Sequence, residues 1–155
     1  ETDFNKKDIL QGQLPIGLNN SGLKQAKRVA QQLKNDLFDT FFSSDLKRTV
    51  QTAQEIQKII KKEFSAISHL RERGLGKLEG KHKDAAFAAL ELERGTVFPL
   101  HHFWDFDEKP SHAKYEIETK KHMYHRLADF VKMLKNKYAD KSVLIVSHGG
   151  TIRAL

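Results

Sequence analysis

Ser142-Val143-Leu144-Ile145-Val146-Ser147-His148-Gly149-Gly150 is an apolar run that stops abruptly at a histidine and two glycines. From Val143 to Ser147 the residues favour a pleated strand, and the unbroken Val-Leu-Ile-Val block suits a parallel strand covered on both faces. A central strand is expected here. Where such a strand ends in an open α/β sheet, side chains face the crevice that receives ligand, and glycines let backbone amides come close to it. His148 thereby becomes a candidate for chemistry, although an ordinary loop histidine after a strand is an equal reading of that residue alone.

The segments on either side set this strand in a wider pattern. A helix is expected over residues 117–137, with Met123, Leu127, Phe130, Val131 and Leu134 inward, and another after Leu18-Asn19-Asn20-Ser21-Gly22, which offers several N-cap residues. In the latter, Leu23, Ala26, Val29, Ala30 and Leu33 share one face. Residues 38–42 read as an aromatic strand, and Leu46, Val50, Ala53, Ile56 and Ile60 build a helix ending in the basic pair Lys61-Lys62. Residues 1–15 lack periodicity and read as a loop, 64–70 as a weaker strand, 71–80 as a glycine-punctuated loop and 85–93 as a short helix. Residues 95–111, with Pro99, Pro110 and a packing Trp104, are irregular and suited to covering a site as a lid. This alternation implies an α/β fold, a three-layer sandwich in which a mostly parallel sheet is flanked by helices.

Composition narrows the class. The chain has 155 residues, 39% hydrophobic and 30% charged, enough for one domain with a proper core. Lys and Arg outnumber Asp and Glu by 27 to 20, and the resulting +7 attracts anions: phosphorylated metabolites, nucleic acid or acidic membranes. The absence of cysteine excludes disulfides, thiolate chemistry and Cys-based zinc sites. No stretch is long and apolar enough for a membrane span, and the polar opening Glu1-Thr2-Asp3 carries no signal-peptide pattern, so a cytoplasmic protein without membrane association is expected. The final Thr151-Ile152-Arg153-Ala154-Leu155 reads as the start of a helix, and continuation is expected at both ends.

Two segments carry chemistry. Ser43-Ser44-Asp45-Leu46-Lys47-Arg48-Thr49-Val50-Gln51-Thr52-Ala53 passes from strand to helix, where free backbone amides suit an anion. Arg48 lies in the first helical turn, where a cation opposes the helix dipole and a bound phosphate reverses that penalty. Its planar fork matches two phosphate oxygens, yet a surface Arg lying over its helix explains the residue equally simply. Glu72, in the loop Arg71-Glu72-Arg73-Gly74-Leu75-Gly76, could donate a proton to a leaving oxygen, or could be one member of a solvated charge run.

Taken in order, these segments resemble the histidine phosphatase superfamily, which includes the cofactor-dependent phosphoglycerate mutases and the phosphatase domain of the fructose-2,6-bisphosphatases. Glu1-Thr2-Asp3-Phe4-Asn5 is similar to the residues just after that family's Arg-His-Gly. Leu18 to Gly22 with Gln25-Ala26 is similar to its Leu-Thr-x-x-Gly-x-x-Gln-Ala, with Asn19 for Thr, and Ser43 to Ala53 to its Ser-Ser-x-Leu-x-Arg-x-x-Gln-Thr-Ala. Leu70-Arg71-Glu72 with Gly76 and Glu79-Gly80, then Glu118-Thr119 with Arg126 (Ile117 standing where Gly is usual), and finally Val146-Ser147-His148-Gly149-Gly150 complete the series.

The resemblance implies a phosphoglycerate mutase-like fold and a metal-independent phosphatase working through phosphohistidine, with no cofactor. It further implies that Arg48 and Asn5 hold phosphoryl oxygens, that His148 stabilises the transferring group, and that Glu72 gives a proton to the leaving alcohol and later takes one from water. Gln11 and Gly12 match substrate-contacting positions, and the Gly149 amide a phosphate-binding one. The Arg-His-Gly that carries the nucleophile is not within residues 1–155 and is expected upstream of Glu1. A single domain over 1–155 is expected, with 81–117 as a lid-like insertion, a small phosphorylated substrate, and a monomer or homodimer.

Other readings remain. A mutase usually shows Arg-His-Tyr-Gly after the catalytic Glu, whereas Arg73-Gly74-Leu75-Gly76 stands here, closer to the phosphatase branches. A non-catalytic phospholigand or protein-binding relative would lack the nucleophile. Nucleic-acid binding is disfavoured because the lysines are scattered along helix faces without an aromatic-interleaved basic motif. A metal site drawn from His101-His102, His112 and the His122/His125 pair is a further reading, but His122 and His125 lie on the helix face opposite Met123, Leu127 and Phe130, so a solvated pair is the simpler account and no metal is expected.

Overall fold

A computed structural model describes residues 1–90 and 113–155 and shows a parallel sheet flanked by helices. The chain opens with one helical turn, α1 (Asp3–Lys6), where a loop was expected. No apolar periodicity announces it. A reciprocal capping box holds it: the Thr2 hydroxyl accepts from the Asn5 amide at 3.1 Å, and the Asn5 side chain accepts from the Thr2 amide at 2.9 Å. Helix α2 (Asn20–Gln32) starts at Asn19, whose side chain accepts from the Gly22 amide. Gly22 is required by proximity, since a Cβ there would lie 2.0 Å from the Glu1 carbonyl oxygen.

Strand β1 (Thr40–Ser44) leads into α3 (Lys47–Ile60), then β2 (Ser65–Ile67) and a 3₁₀ turn at Ser68–Leu70. A second 3₁₀ turn (Gly76–Leu78) precedes α4 (Lys83–Ala89); after residue 113 come α5 (Lys120–Tyr138), β3 (Val143–Val146) and α6 (Gly149–Ala154). Strand order is β2-β1-β3, all parallel, with Phe42 opposite both Ser65 and Ile145. One expectation shifts here. Among the described residues the middle strand is β1, while β3, expected to be central, lies at an edge and is only partly buried. Its unbroken apolar run is still explained, because both faces are covered: Leu144 and Val146 pack toward Phe41, Ala53 and Ile56, and Val143 and Ile145 toward Phe42, Leu70 and Phe130.

These two clusters define three layers, α2 and α3 on one face of the sheet and α5 on the other. Phe42 stacks edge-on against Phe130 and Tyr138 at 5.6 Å. On α2 the apolar stripe is narrower than expected, since Ala26 and Ala30 are buried but Val29 is 41% exposed. A third cluster, Leu10, Leu75, Leu78, Ala86, Leu90 and Ile117, anchors α4 and the glycine-rich loop to the opening segment. The expected lid at 95–111, with Trp104, His101 and His102, lies outside the described residues, as do His112 and residues 91–93 of the helix expected over 85–93.

Leu70 has no exposed surface, at the junction of β2 and the 71–80 loop. Leu70→Ala is therefore expected to lower the free energy of unfolding by about 2–5 kcal/mol, and Ile152→Ala, at an exposed position, to change it by no more than about 0.5 kcal/mol. Urea denaturation of the two variants measures both.

Candidate active site

Parallel pairing brings the carboxyl ends of β1 and β3 side by side, and the chain turns into a helix just beyond each. Ser43 pairs with Val146, so Ser44 and His148 emerge at the same end of the sheet. There His148 Nε2 lies 2.8 Å from Ser44 Oγ. The histidine is buried at 7% exposure, and its pKa is pulled down to about 3. Burial is the main cause, the charges of Arg48 and Arg126 add to it, and Asp45 opposes it. His148 is consequently neutral at physiological pH.

Arg48 sits in the first turn of α3 and reaches back over residues 12–14, donating from one terminal nitrogen to the Gly12 carbonyl at 2.8 Å and from the other to the Leu14 carbonyl at 3.2 Å. Burial pulls its pKa below the usual value while Glu72 and Glu79 oppose that shift, which places both carboxylates within its field. Gly12 has φ +47, and a Cβ there would lie 2.1 Å from Glu79 Oε1. That carboxylate accepts from the amides of Gln13 at 2.8 Å and Leu75 at 3.0 Å, tying the segment that Arg48 grips to the 71–80 loop.

Glu72 is held from several sides. Its carboxylate accepts from the Arg73 amide at 2.9 Å and from the Gly150 amide in the first turn of α6 at 3.0 Å. Its carbonyl accepts from Gln13 Nε2 at 3.0 Å and from Arg126 at 3.3 Å. The solvated charge run considered for Arg71-Glu72-Arg73 is not what forms. Arg73 is 1% exposed and donates to the Glu118 carbonyl, and Arg71 makes a two-pronged pair with Asp45 at 2.7 and 2.6 Å. That pair holds the Asp45 carboxyl below its usual range.

His148, Arg48, Glu72 and Gly12 are thus brought together. Gly149 is the exposed first residue of α6, and its N-cap residue, His148, makes no side-chain bond to that helix. Asn5 and Gln11 form a separate neighbouring pair through the buried Thr2, whose hydroxyl lies 2.9 Å from the side-chain oxygen of each. Asn5 itself is exposed and its oxygen is used in the α1 cap. Ser44, Asp45, Gln13 and Arg126 have no role that sequence reasoning assigns. Ser44 and Asp45 stand at the strand-to-helix passage already singled out, and Arg126 lies three residues from Met123 and four from Phe130 on a stripe that is otherwise apolar. Among the described residues no group of three or more metal-ligand side chains comes together, and His122 and His125 are exposed.

A family model described as the histidine phosphatase superfamily (branch 1) matches residues 1–155. The chain belongs to the histidine phosphatase superfamily. Over its full length it is 32% identical to a phosphoglycerate mutase-like protein 4 and 32% identical to a metal-independent phosphoserine phosphatase, both of Arabidopsis thaliana, spanning 65% and 63% of their lengths. A mycobacterial glucosyl-3-phosphoglycerate phosphatase solved with VO3 superposes with a TM-score of 0.82 at 26% identity, over all of this chain and 75% of that one. The phosphoglycerate mutase-like α/β architecture expected from sequence is thus found in this chain.

The pKa of His148 has a direct consequence for stability. An unfolded histidine titrates near 6.5, so between about pH 6.5 and pH 3 the unfolded chain binds a proton that the folded one does not, and stability falls as pH falls across that window. The slope reaches about 1.4 kcal/mol per pH unit. The Asp45 pKa is lowered as well, so it acts in the same direction, but its stabilisation is lost only below about pH 4. Urea unfolding between pH 6.5 and 4.5 is expected to show a shallower pH dependence in His148→Gln than in the unmodified protein.

Proposed function

We propose that this domain is the core of a metal-independent phosphomonoester hydrolase that acts on a small phosphorylated metabolite through a phosphohistidine. The observation that carries the reading is the state of Arg48. A guanidinium has five N–H donors; Arg48 uses two on the carbonyls of Gly12 and Leu14, which leaves three without an acceptor among the described residues. These lie beside a buried, neutral His148 and the carboxylate of Glu72. A phosphoryl dianion supplies acceptors for those donors, and its charge favours a proton on His148, reversing the shift that burial and the cations impose. Asn5, Gln11 and the amide of Gly149 are the further polar groups that this reading assigns to the substrate. The phosphatase names of relatives spanning all of this chain support the same class.

In the reaction, an imidazole nitrogen of the family's Arg-His-Gly attacks phosphorus as the ester P–O bond breaks, and Glu72 gives a proton to the departing alkoxide. Glu72 then takes a proton from water as that water attacks phosphorus, the P–N bond breaks, and phosphate leaves with the imidazole restored. Arg48 and His148 stabilise the equatorial oxygens in both steps. Such transfer depends on positioning and charge stabilisation, which cations and amide donors supply here.

Release of inorganic phosphate from a panel of phosphomonoesters tests this in the full protein that carries the chain. Turnover is expected to persist in EDTA, to fall by about 100-fold or more in His148→Ala, and in Arg48→Lys to fall by about 100-fold as the fork is lost. Absence of phosphate release from every ester, or its loss in EDTA, would overturn the reading; interconversion of phosphoglycerates without release would assign a mutase instead.

A further inference from the structure

Arg126 differs from Arg48 in one decisive respect. Its Nε donates to Glu118 Oε1 at 2.7 Å, and one terminal nitrogen donates to the carbonyls of His69 at 2.7 Å and Arg71 at 2.8 Å. The other terminal nitrogen donates to Glu118 Oε2 at 2.9 Å and the Glu72 carbonyl at 3.3 Å. A guanidinium has five donors, and each of these is accounted for. Arg126 therefore has nothing left for a phosphoryl group. What it grips instead is the backbone of three residues in the four-residue stretch that ends at Glu72.

We infer that Arg126, anchored by Glu118, is a positioning residue for Glu72, holding the 69–72 backbone so that the carboxylate faces the leaving oxygen. This rests on the proton-donor role proposed above. The anchor is itself built into the same loop: Glu118 Oε2 accepts from the Gly74 amide at 2.9 Å, the Glu118 amide donates to the Gly74 carbonyl at 2.9 Å, and the Glu118 carbonyl accepts from Arg73 at 2.7 Å. The loop is thus fixed on both sides of Glu72, at 69–71 by Arg126 and at 73–74 by Glu118. Without the clamp, the carbonyls of His69 and Arg71 each lose a charged donor; Gln13, the Gly150 and Arg73 amides, and the hydroxyls of Ser147 and Thr151 on the Leu70 and Arg71 carbonyls are what remains to locate Glu72. Lysine keeps the charge, but its three donors cannot replace five that address three carbonyls and both oxygens of a carboxylate.

The readout that separates positioning from general damage is the leaving group. An alkyl phosphate needs a proton on its departing oxygen, whereas an aryl phosphate with an acidic phenol leaves as the phenolate without one. The kcat/KM of an alkyl phosphomonoester and of p-nitrophenyl phosphate, which covers only the steps through departure of the alcohol or phenol and so excludes the water step that both esters share, is compared in the full protein and in Arg126→Lys, Glu118→Gln and Glu72→Gln. Expected are losses of about 100-fold on the alkyl ester in Arg126→Lys, in keeping with a displaced reacting group, and of no more than about 3-fold on the aryl ester, the pattern of Glu72→Gln. Glu118→Gln keeps an acceptor for Gly74 and is expected to show the same selectivity more weakly, so the inference stays testable if Arg126→Lys does not fold. Equal losses on both esters in Arg126→Lys and Glu118→Gln, with selective loss in Glu72→Gln, would overturn the positioning role and leave the proposed function standing. Equal losses in Glu72→Gln as well would overturn the proton-donor role and this inference with it.

Discussion

The parallel register of β1 against β3 is the constraint on which the site depends. With Ser43 opposite Val146, two chain segments more than a hundred residues apart leave the sheet together, and Ser44 Oγ meets His148 Nε2. A slip of one residue would turn every side chain of β3 to the other face and send Leu144 and Val146 away from the α2 and α3 layer. Apolar packing on both faces therefore enforces the register, and the register places the histidine. Core and chemistry are joined at that point.

Around this pairing, charge is distributed unequally. Asp45 is neutralised by Arg71 and Glu118 by Arg126, while Glu79 accepts from backbone amides. Each of these groups is tied into the scaffold, and their fields reach the site without offering it a free donor. Arg48 is the contrast, half-buried and only partly satisfied. A site so arranged holds its positive potential ready before any anion arrives, because the cations that create it are already fixed by other partners. For the proposed phosphoryl transfer, reorganisation is thereby kept small as charge develops.

The sheet and its helices are legible in the sequence because their signals are local. The Val-Leu-Ile-Val run, the stripe from Leu46 to Ile60 and the N-cap at Asn19 each arise from periodicity or capping chemistry over a few residues. What misleads is polarity whose partner lies far away. Residues 38–42 read as the strand, yet β1 runs on through Ser43 and Ser44, which sit fully buried because Ser43 bonds its neighbour's carbonyl and Ser44 meets His148. Hydroxyl residues look like a turn until those acceptors are known. The same holds for Arg73, which resembles a solvated member of a charge run and is instead among the most buried side chains, bonded to Glu118 from 45 residues away. Of the site, His148, Arg48 and Glu72 are legible through ordered motifs, whereas Arg126 carries no role in sequence because only the fold shows where its five donors go.

That difference between Arg48 and Arg126 argues against reading function from residue type. Both are arginines near the same histidine, and both depress its pKa. One has donors left over and can answer a new acceptor; the other is saturated by three carbonyls and a carboxylate and can only hold what it already holds. The structural cost of an unsatisfied buried donor means that Arg48 is stable in this state only because part of it still meets solvent. A ligand that replaces that water with charged acceptors takes over a role the fold leaves open, whereas a ligand reaching Arg126 would have to break the loop that carries Glu72. On the proposed reading, the fold separates binding from positioning by counting donors, and phosphate is directed to the guanidinium whose count is incomplete.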